Sequence, residues 1–253
     1  MKRALITGAT SGIGREMAIY LHRKGWQLVL TGRNETVLKR MAQKFGTGTK
    51  YIALDLAERG AAERLYAFCK GTKIDFLINN AGFGVFGAFT ESPLEDELAL
   101  LEVNIRSVHI LTKLFLRDFV ARDSGVILNV GSVAGFSTGP LLSSYYASKN
   151  YVVRLTTAIR EELRRKSSHV KVSVLCPGPV DTDFNNRAGV TFSVKPANPR
   201  FVAEYGIRCA FAGVGIILPT LPIKLCAVGA KLFPEQLVAM VAYNMQKAKQ
   251  REK

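Results

Sequence analysis

The sequence predicts a doubly wound α/β fold: a mostly parallel seven-stranded sheet flanked by helices, with a helical extension at about 221–253. Three observations carry this. Seven short β-rich runs are separated, for the most part, by helix-compatible stretches of ten or more residues, which is the βαβ rhythm. Runs such as Phe76-Leu77-Ile78 and Val126-Ile127-Leu128 are apolar without polar alternation, as strands covered on both faces must be. The 253 residues, 48% hydrophobic and 22% charged with no low-complexity block or linker, suffice for one core, so a single domain over 1–253 is expected.

The strands are expected at 3–6, 27–31, 50–54, 74–78, 125–130, 170–175 and 214–218. The first runs into Thr7-Gly8-Ala9-Thr10-Ser11-Gly12-Ile13-Gly14 and then a helix from 15 to about 24. A glycine-rich turn between strand and helix lets the backbone approach a pyrophosphate, whose charge the N–H groups of the helix start stabilise. The second strand ends in Leu30-Thr31-Gly32-Arg33-Asn34. An NAD site places an acid there for the ribose 2′-hydroxyl, whereas an arginine accommodates a 2′-phosphate. Gly32 holds the acid position, so Arg33 favours NADP(H), with Arg15 a possible helper and Glu35 reading as first-turn helix charge.

Formal net charge is +15, which favours an anionic partner: a nucleotide, a nucleic acid, an acidic lipid surface or an anionic substrate. Most single charges read as solvated helix faces, as at Arg160, Arg164, Arg165 and Lys166 beside Glu161 and Glu162. No recognised reading element accompanies them, so nucleic acid is not expected as a partner. Cys69, Cys176, Cys209 and Cys226 lack C-x-x-C spacing, and His22, His109 and His169 are scattered, so reduced thiols and no metal are expected. The longest uncharged run, 209–223, is broken by Pro219 and Pro222, which argues against a transmembrane helix. The first residues lack a small-residue cleavage site, so a cytoplasmic location is expected.

Later segments add chemistry-bearing residues. Asp55-Leu56 follows the third strand and Asn79-Asn80-Ala81-Gly82 the fourth; Asn104, Ser132, Tyr145-Tyr-Ala-Ser-Lys149 and Pro177-Gly178-Pro-Val180-Asp-Thr182 come after. On a helix, Tyr145 and Lys149 are i and i+4 and share a face, so the ammonium is expected to lower the phenol's pKa from about 10. Ser143, Ser144 and Ser148 read as helix-surface or capping residues.

In order and spacing, these motifs resemble the short-chain dehydrogenase/reductase superfamily over roughly the first 185 residues. The resemblance implies a Rossmann-type fold, an NADP(H)-dependent oxidoreductase interconverting a carbonyl and a secondary alcohol, and a homodimer or homotetramer. It assigns NADP(H) to Gly8, Thr10, Ser11, Gly12, Ile13, Gly14, Arg33, Asp55, Leu56, Asn80, Ala81, Gly82, Tyr145, Lys149, Pro177, Gly178, Val180 and Thr182. It makes Tyr145 the proton donor, Ser132 the holder of the carbonyl oxygen, and Asn104 the positioner of a water relay ending at Lys149; Tyr146 packs or lines the pocket. The different-class alternative is a non-catalytic NADP(H)-binding sensor or scaffold.

An apolar substrate pocket is implied by Phe83, Val85, Phe86 and Phe89, by Val133, Phe136, Leu141 and Leu142, and by Phe184 and Phe192. Beyond the last strand, two helical candidates are divided by Pro234, and Leu237, Met240, Val241 and Asn244 recur at helical spacing. The favoured reading packs this stripe over the cleft or at a subunit interface. Peripheral membrane contact is the lesser reading, drawn from eight Lys/Arg against three Asp/Glu over 196–253.

Overall fold

The computed structural model describes residues 1–182 and 196–247. Strands β1 (Arg3–Thr7), β2 (Gln27–Gly32), β3 (Lys50–Ala53), β4 (Phe76–Asn79), β5 (Val126–Val130), β6 (Lys171–Leu175) and β7 (Ile216–Ile217) form one sheet in the order β3-β2-β1-β4-β5-β6-β7. Every pairing is parallel. The chain winds outward from β1 to β3, then restarts on the other side of β1 at β4, and that reversal opens a crevice at the carboxyl ends of β1 and β4.

The two-sided apolar strands do what their composition requires. In β1, Ala4 and Ile6 enter one core and Leu5 the other; in β4, Phe76 and Ile78 oppose Leu77 in the same way. The first core is closed by α1 (Gly12–Arg23), α2 (Glu35–Phe45) and α7 (Pro199–Phe211), through Met17, Leu21, Leu38 and Val202. The second is closed by α3 (Ala61–Phe68), α5 (Val108–Ala121) and the far end of α6 (Ser143–Arg165), through Leu65, Phe115, Phe119 and Leu163. A fully buried side chain of this kind contributes roughly 1.5–3 kcal/mol, which favours the strand at β1, β2, β4, β5 and β6, where most residues are buried.

Three elements differ from the sequence reading by two residues or more at a boundary. Helix α1 starts at Gly12, not 15, because the end of the glycine turn is itself the first helical turn, with Arg15 N–H already bonded to Ser11 O at 3.1 Å. Strand β4 starts at Phe76, not 74. Asp75 instead ties the approach to β4 to the start of β1, its N–H donating to Arg3 O at 2.8 Å and its carboxylate accepting from Arg3 N–H at 3.0 Å. Strand β7 has two residues rather than five, since it pairs only with Val174 and Leu175 at the edge, where short strands discourage further pairing.

Past β7 the chain forms α8 (Leu221–Leu232) and α9 (Glu235–Lys247), divided at Phe233-Pro234 as expected. Among the described residues no helix is long and apolar enough to cross a membrane, and no three His, Cys, Asp or Glu side chains gather as metal ligands.

Candidate active site

The glycine turn after β1 owes its shape to close approach. Gly8 and Gly12 have φ of 64° and 52°, in the left-handed region that favours glycine. A Cβ at Gly14 would overlap Asn80 Nδ2 and Gly8 O, so only glycine lets α1 descend this close to β4. The Asn-Asn-Ala-Gly segment braces the turn from the side: Asn80 Nδ2 donates to Thr7 O at 3.0 Å and Gly8 O at 3.1 Å. Thr7 Oγ1 accepts from the N–H groups of Asn80 and Ala81 at 2.9 and 3.0 Å. Sequence reasoning passed over Thr7; its signal was a hydroxyl at the strand end beside the first turn glycine. Asn79 points the other way, donating to Asn129 and Thr112 at 2.9 and 3.0 Å, which ties β4 to β5 and α5.

The unpaired N–H groups at the start of α1 and the exposed backbone of the turn face a cleft of about 1060 Å³. Gly8, Thr10, Ser11, Gly12 and Ile13 line it at one end. Arg33 stands at the rim, its side chain 61% exposed, with a guanidinium nitrogen 3.9 Å from the Asp55 carboxylate; Asp55 and Leu56 form the neighbouring wall. Asn80, Ala81 and Gly82 line the floor, and Pro177, Gly178, Val180 and Thr182 the opposite side. Thr182 lies so near that a Cβ at Gly12 would sit 3.0 Å from its Cγ2. The structure thus brings to one cleft every expected cofactor residue except Gly14, which packs beneath the turn. The fit to a dinucleotide is good: a helix start whose first N–H groups lack intrahelical partners, and glycines that keep the turn's backbone close to its neighbours and open to the cleft.

Three of the four expected catalytic residues, Ser132, Tyr145 and Lys149, also line the cleft, and Asn104 lies buried behind Gly82. Asn104 is fully buried in a π-helical turn, Glu102–Ser107, joining α4 (Leu94–Leu101) to α5. Its Nδ2 donates to Phe83 O at 2.9 Å and Ser148 Oγ at 3.1 Å, and its Oδ1 accepts from Phe83 N–H at 3.1 Å. The extra residue per turn rotates this side chain inward, a use typical of π-bulges. Ser148 is therefore not a surface residue: it is buried, accepting from Asn104 and donating to Tyr145 O at 2.7 Å. Ser143 is exposed, as expected, and Ser144 partly so.

Ser132 lies two residues past β5, and its Oγ accepts from Ala134 N–H at 3.1 Å while hydrogen-bonding the Tyr145 phenol. Lys149 is buried on the Tyr145 face of α6, its Nζ 5.7 Å from the phenol ring centre and donating to Val130 O at 3.0 Å. A Cβ at Gly82 would lie 3.0 Å from Asn104 Oδ1 and 3.2 Å from Lys149 Nζ, so this glycine holds space open for both.

The electrostatics depart from expectation. Burial pushes the Tyr145 phenol up to about 12, against the lowering influence of the Ser132 hydrogen bond. Burial also pulls Lys149 down to about 8, partly countered by the nearby Cys176 thiol. The expected lowering of the phenol is therefore not found: desolvation is the largest influence, and Tyr145 is protonated at neutral pH.

The substrate-facing side is apolar, but its members differ from those expected. Phe83, Val133, Leu142 and Tyr146 line the cleft. Phe89 points into solvent, and Phe136 is buried in a core cluster with Val152 and Val153. Val85, Phe86 and Leu141 are not among the lining residues, and Phe184 and Phe192 lie outside the described ones. In their place come Ala99 and Val103 from the α4 region and Ile223, Val238 and Ala242 from the C-terminal helices. Gln246 of α9, itself buried, donates to the Tyr146 hydroxyl at 2.8 Å and anchors α9 over the cleft. The Leu237, Met240 and Val241 stripe borders the cleft as one expected reading had it.

A doubly wound parallel sheet with a glycine-rich turn at its switch point, and a tyrosine, a lysine and a serine over the same cleft, defines a nucleotide-binding fold of Rossmann type. More narrowly, the chain belongs to the short-chain dehydrogenase family, whose model matches residues 2–191. Among curated proteins it is similar to a very-long-chain 3-oxoacyl-CoA reductase of Mycosarcoma maydis, 37% identical over 181 residues, covering 68% of this chain and 51% of the relative. The chain thus spans about half of that relative's length. Among solved structures, a short-chain dehydrogenase from Sphingobium yanoikuyae in complex with NADPH superposes with a TM-score of 0.83 at 25% identity, covering 91% of this chain and 92% of that one. A short-chain dehydrogenase/reductase from Burkholderia phymatum in complex with NAD gives 0.80 at 26% identity, with 96% of each chain covered.

Proposed function

We propose that this oxidoreductase reduces a carbonyl group of a lipophilic molecule, or oxidises the corresponding secondary alcohol, with NADP(H). The observation that carries the reading is the convergence of Tyr145, Ser132 and Lys149 where the glycine-turn end of the cleft meets its apolar end. The dinucleotide, when bound, supplies the hydride. The Tyr145 phenol, protonated up to about pH 12, donates a proton to the carbonyl oxygen as it becomes an alcohol. The Ser132 hydroxyl, already bonded to that phenol, holds the same oxygen. Lys149, charged below about pH 8, stabilises the phenolate left behind, and with the dinucleotide bound its ammonium would also hold the ribose. Asn104 acts through others: locked by Phe83 and Ser148, it positions α6 and the route by which a proton returns toward Lys149.

The choice of NADP(H) rests on Gly32 and Arg33. Gly32 carries no carboxylate to repel a 2′-phosphate, and Arg33 stands at the rim with its guanidinium mostly free to solvent. The lipophilic substrate class is supported by the Phe83, Val103, Leu142, Ile223 and Val238 lining, and by the long-chain acyl relative. The test is NADPH oxidation across ketones and aldehydes of increasing apolar bulk, with kcat/KM expected to rise with bulk. NADPH binding without turnover on any member would instead indicate a nucleotide-binding scaffold.

A further inference from the structure

We propose that the outward faces of α8 and α9 seat the protein on an anionic lipid surface, with the mouth of the cleft turned toward the bilayer. Helix α8 is apolar on two opposite sides. Its inner side is anchored, with Ala227 buried beside Phe136 and Val152 and Ile223 pressed against Gly178. Its outer side carries Leu221, Leu225, Val228 and Leu232 at intervals of four, three and four residues, all 55–75% exposed. Phe233 continues this stripe, and Leu237, Met240, Val241 and Met245 of α9 are exposed while also bordering the cleft. Scattered exposed leucines need no explanation, but a contiguous apolar surface running into the mouth of a binding cleft marks an interaction face.

Length and charge decide the occupant. Helices of 12 and 13 residues reach only about 18–20 Å, too short for a hydrocarbon core of about 30 Å but sufficient to lie within its interface. Over 221–253 the sequence has six Lys/Arg against two Asp/Glu; α8 contains Lys224 and Lys231 and no acid, and Lys224 is exposed. A second copy packed on the α8 stripe would set its Lys224 against the first copy's, with Glu235 of α9 the one acid on either helix to offset them. Anionic headgroups would neutralise Lys224 while its stem stays against the apolar surface. A lipophilic carbonyl compound dissolved in the bilayer would then enter the cleft without crossing water. That last point rests on the function proposed above; the docking itself does not.

The test is co-sedimentation with vesicles of phosphatidylcholine, with and without phosphatidylglycerol, at low and high salt. It compares the wild type with a charge-neutral variant, Leu225→Gln, Val228→Gln and Leu232→Gln, none of which lines the cleft. We expect binding to phosphatidylglycerol vesicles that weakens with salt and falls about tenfold or more in the variant, while turnover of a small water-soluble ketone stays unchanged. Absence of binding, or equal binding by both proteins through bulk charge alone, overturns the proposal. So does a drop in the variant's solution mass by light scattering without a change in vesicle binding, which would assign the stripe to a second copy. If neither protein turns over the ketone, the proposed activity fails, and the vesicle comparison still decides the docking once thermal unfolding shows the variant folded.

Discussion

Replacing Tyr145 by Phe removes one oxygen and leaves the ring in place, stacked edge-on to Tyr146 with 6.2 Å between ring centres. The structural loss is the hydrogen bond to Ser132, worth about 0.5–1.5 kcal/mol of stability. The chemical loss is larger. A positioned proton donor contributes about 10²–10⁴ in rate, or about 2.7–5.4 kcal/mol at about 1.36 kcal/mol per decade. No other hydroxyl is expected to substitute, because the one adjacent, on Tyr146, accepts from Gln246 and is held toward α9. We therefore expect kcat for ketone reduction to fall at least a hundredfold, with NADPH affinity within about twofold of wild type. Steady-state loss of reduced-nicotinamide absorbance measures the first and quenching or enhancement of NADPH fluorescence the second. Tyr146→Phe is the control: it should keep kcat and loosen α9. A Tyr145→Phe enzyme within tenfold of wild-type kcat would refute the assignment, and a large kcat loss in Tyr146→Phe would transfer the role to that residue.

Two further outcomes follow from the same site. Wild type should prefer NADPH to NADH about ten- to hundredfold in kcat/KM, the worth of one charge-assisted phosphate contact of about 1.5–3 kcal/mol, and Gly32→Asp with Arg33→Gln should reverse the order. A Cβ at Gly32 falls 3.1 Å from Thr10 Cγ2, so Thr10→Ser belongs in the swapped variant; equal efficiency with both cofactors in wild type would defeat the assignment. Lys149 is an ammonium below about pH 8 and neutral above it, so kcat/KM for NADPH, which reports the free enzyme, should decline as pH rises through about 8. Tyr145 ionises only at about 12 and cannot produce that limb; Lys149→Arg, which stays charged, should move the limb upward, and an unmoved limb would show that another group titrates.

The parts legible in the sequence are those set by local stereochemistry. The turn after β1 announces itself because Gly8, Gly12 and Gly14 each answer a local demand, a left-handed φ or a neighbour's closeness, that no other residue meets. The strands announce themselves because a parallel sheet buries both faces, as Ala4, Leu5 and Ile6 show. What was misread depends on distant partners. Ser148 looks like a surface serine until the π turn delivers Asn104 to it, and nothing in Glu102–Ser107 advertises that extra residue per turn. Phe89 and Phe136 look as suited to a pocket as Phe83 does, yet one faces solvent and the other the core. Ile223 and Val238 come from a segment whose packing the sequence left among lid, interface and membrane, because α8 is apolar on both sides and either side would satisfy the pattern.

The same distinction explains why the Tyr145–Lys149 spacing was read correctly as geometry and incorrectly as electrostatics. Spacing of four on a helix puts two Cβ atoms on one face, but it does not say where a four-carbon stem ends. Here it ends at Val130 O on β5, 3.0 Å away, in space that Gly82 leaves open and Asn104 borders. Three elements that are remote in sequence thus decide the ammonium's position, 5.7 Å from the ring centre, while burial is the largest influence on the phenol. The result suits reduction. A phenol at about 12 beside a lysine at about 8 is a protonated acid next to a cation at neutral pH, and the charge that would stabilise its phenolate is already in the cleft before the proton leaves. Enlarging Gly82 should therefore damage catalysis by displacing Lys149 and Asn104 together, without touching Tyr145 itself.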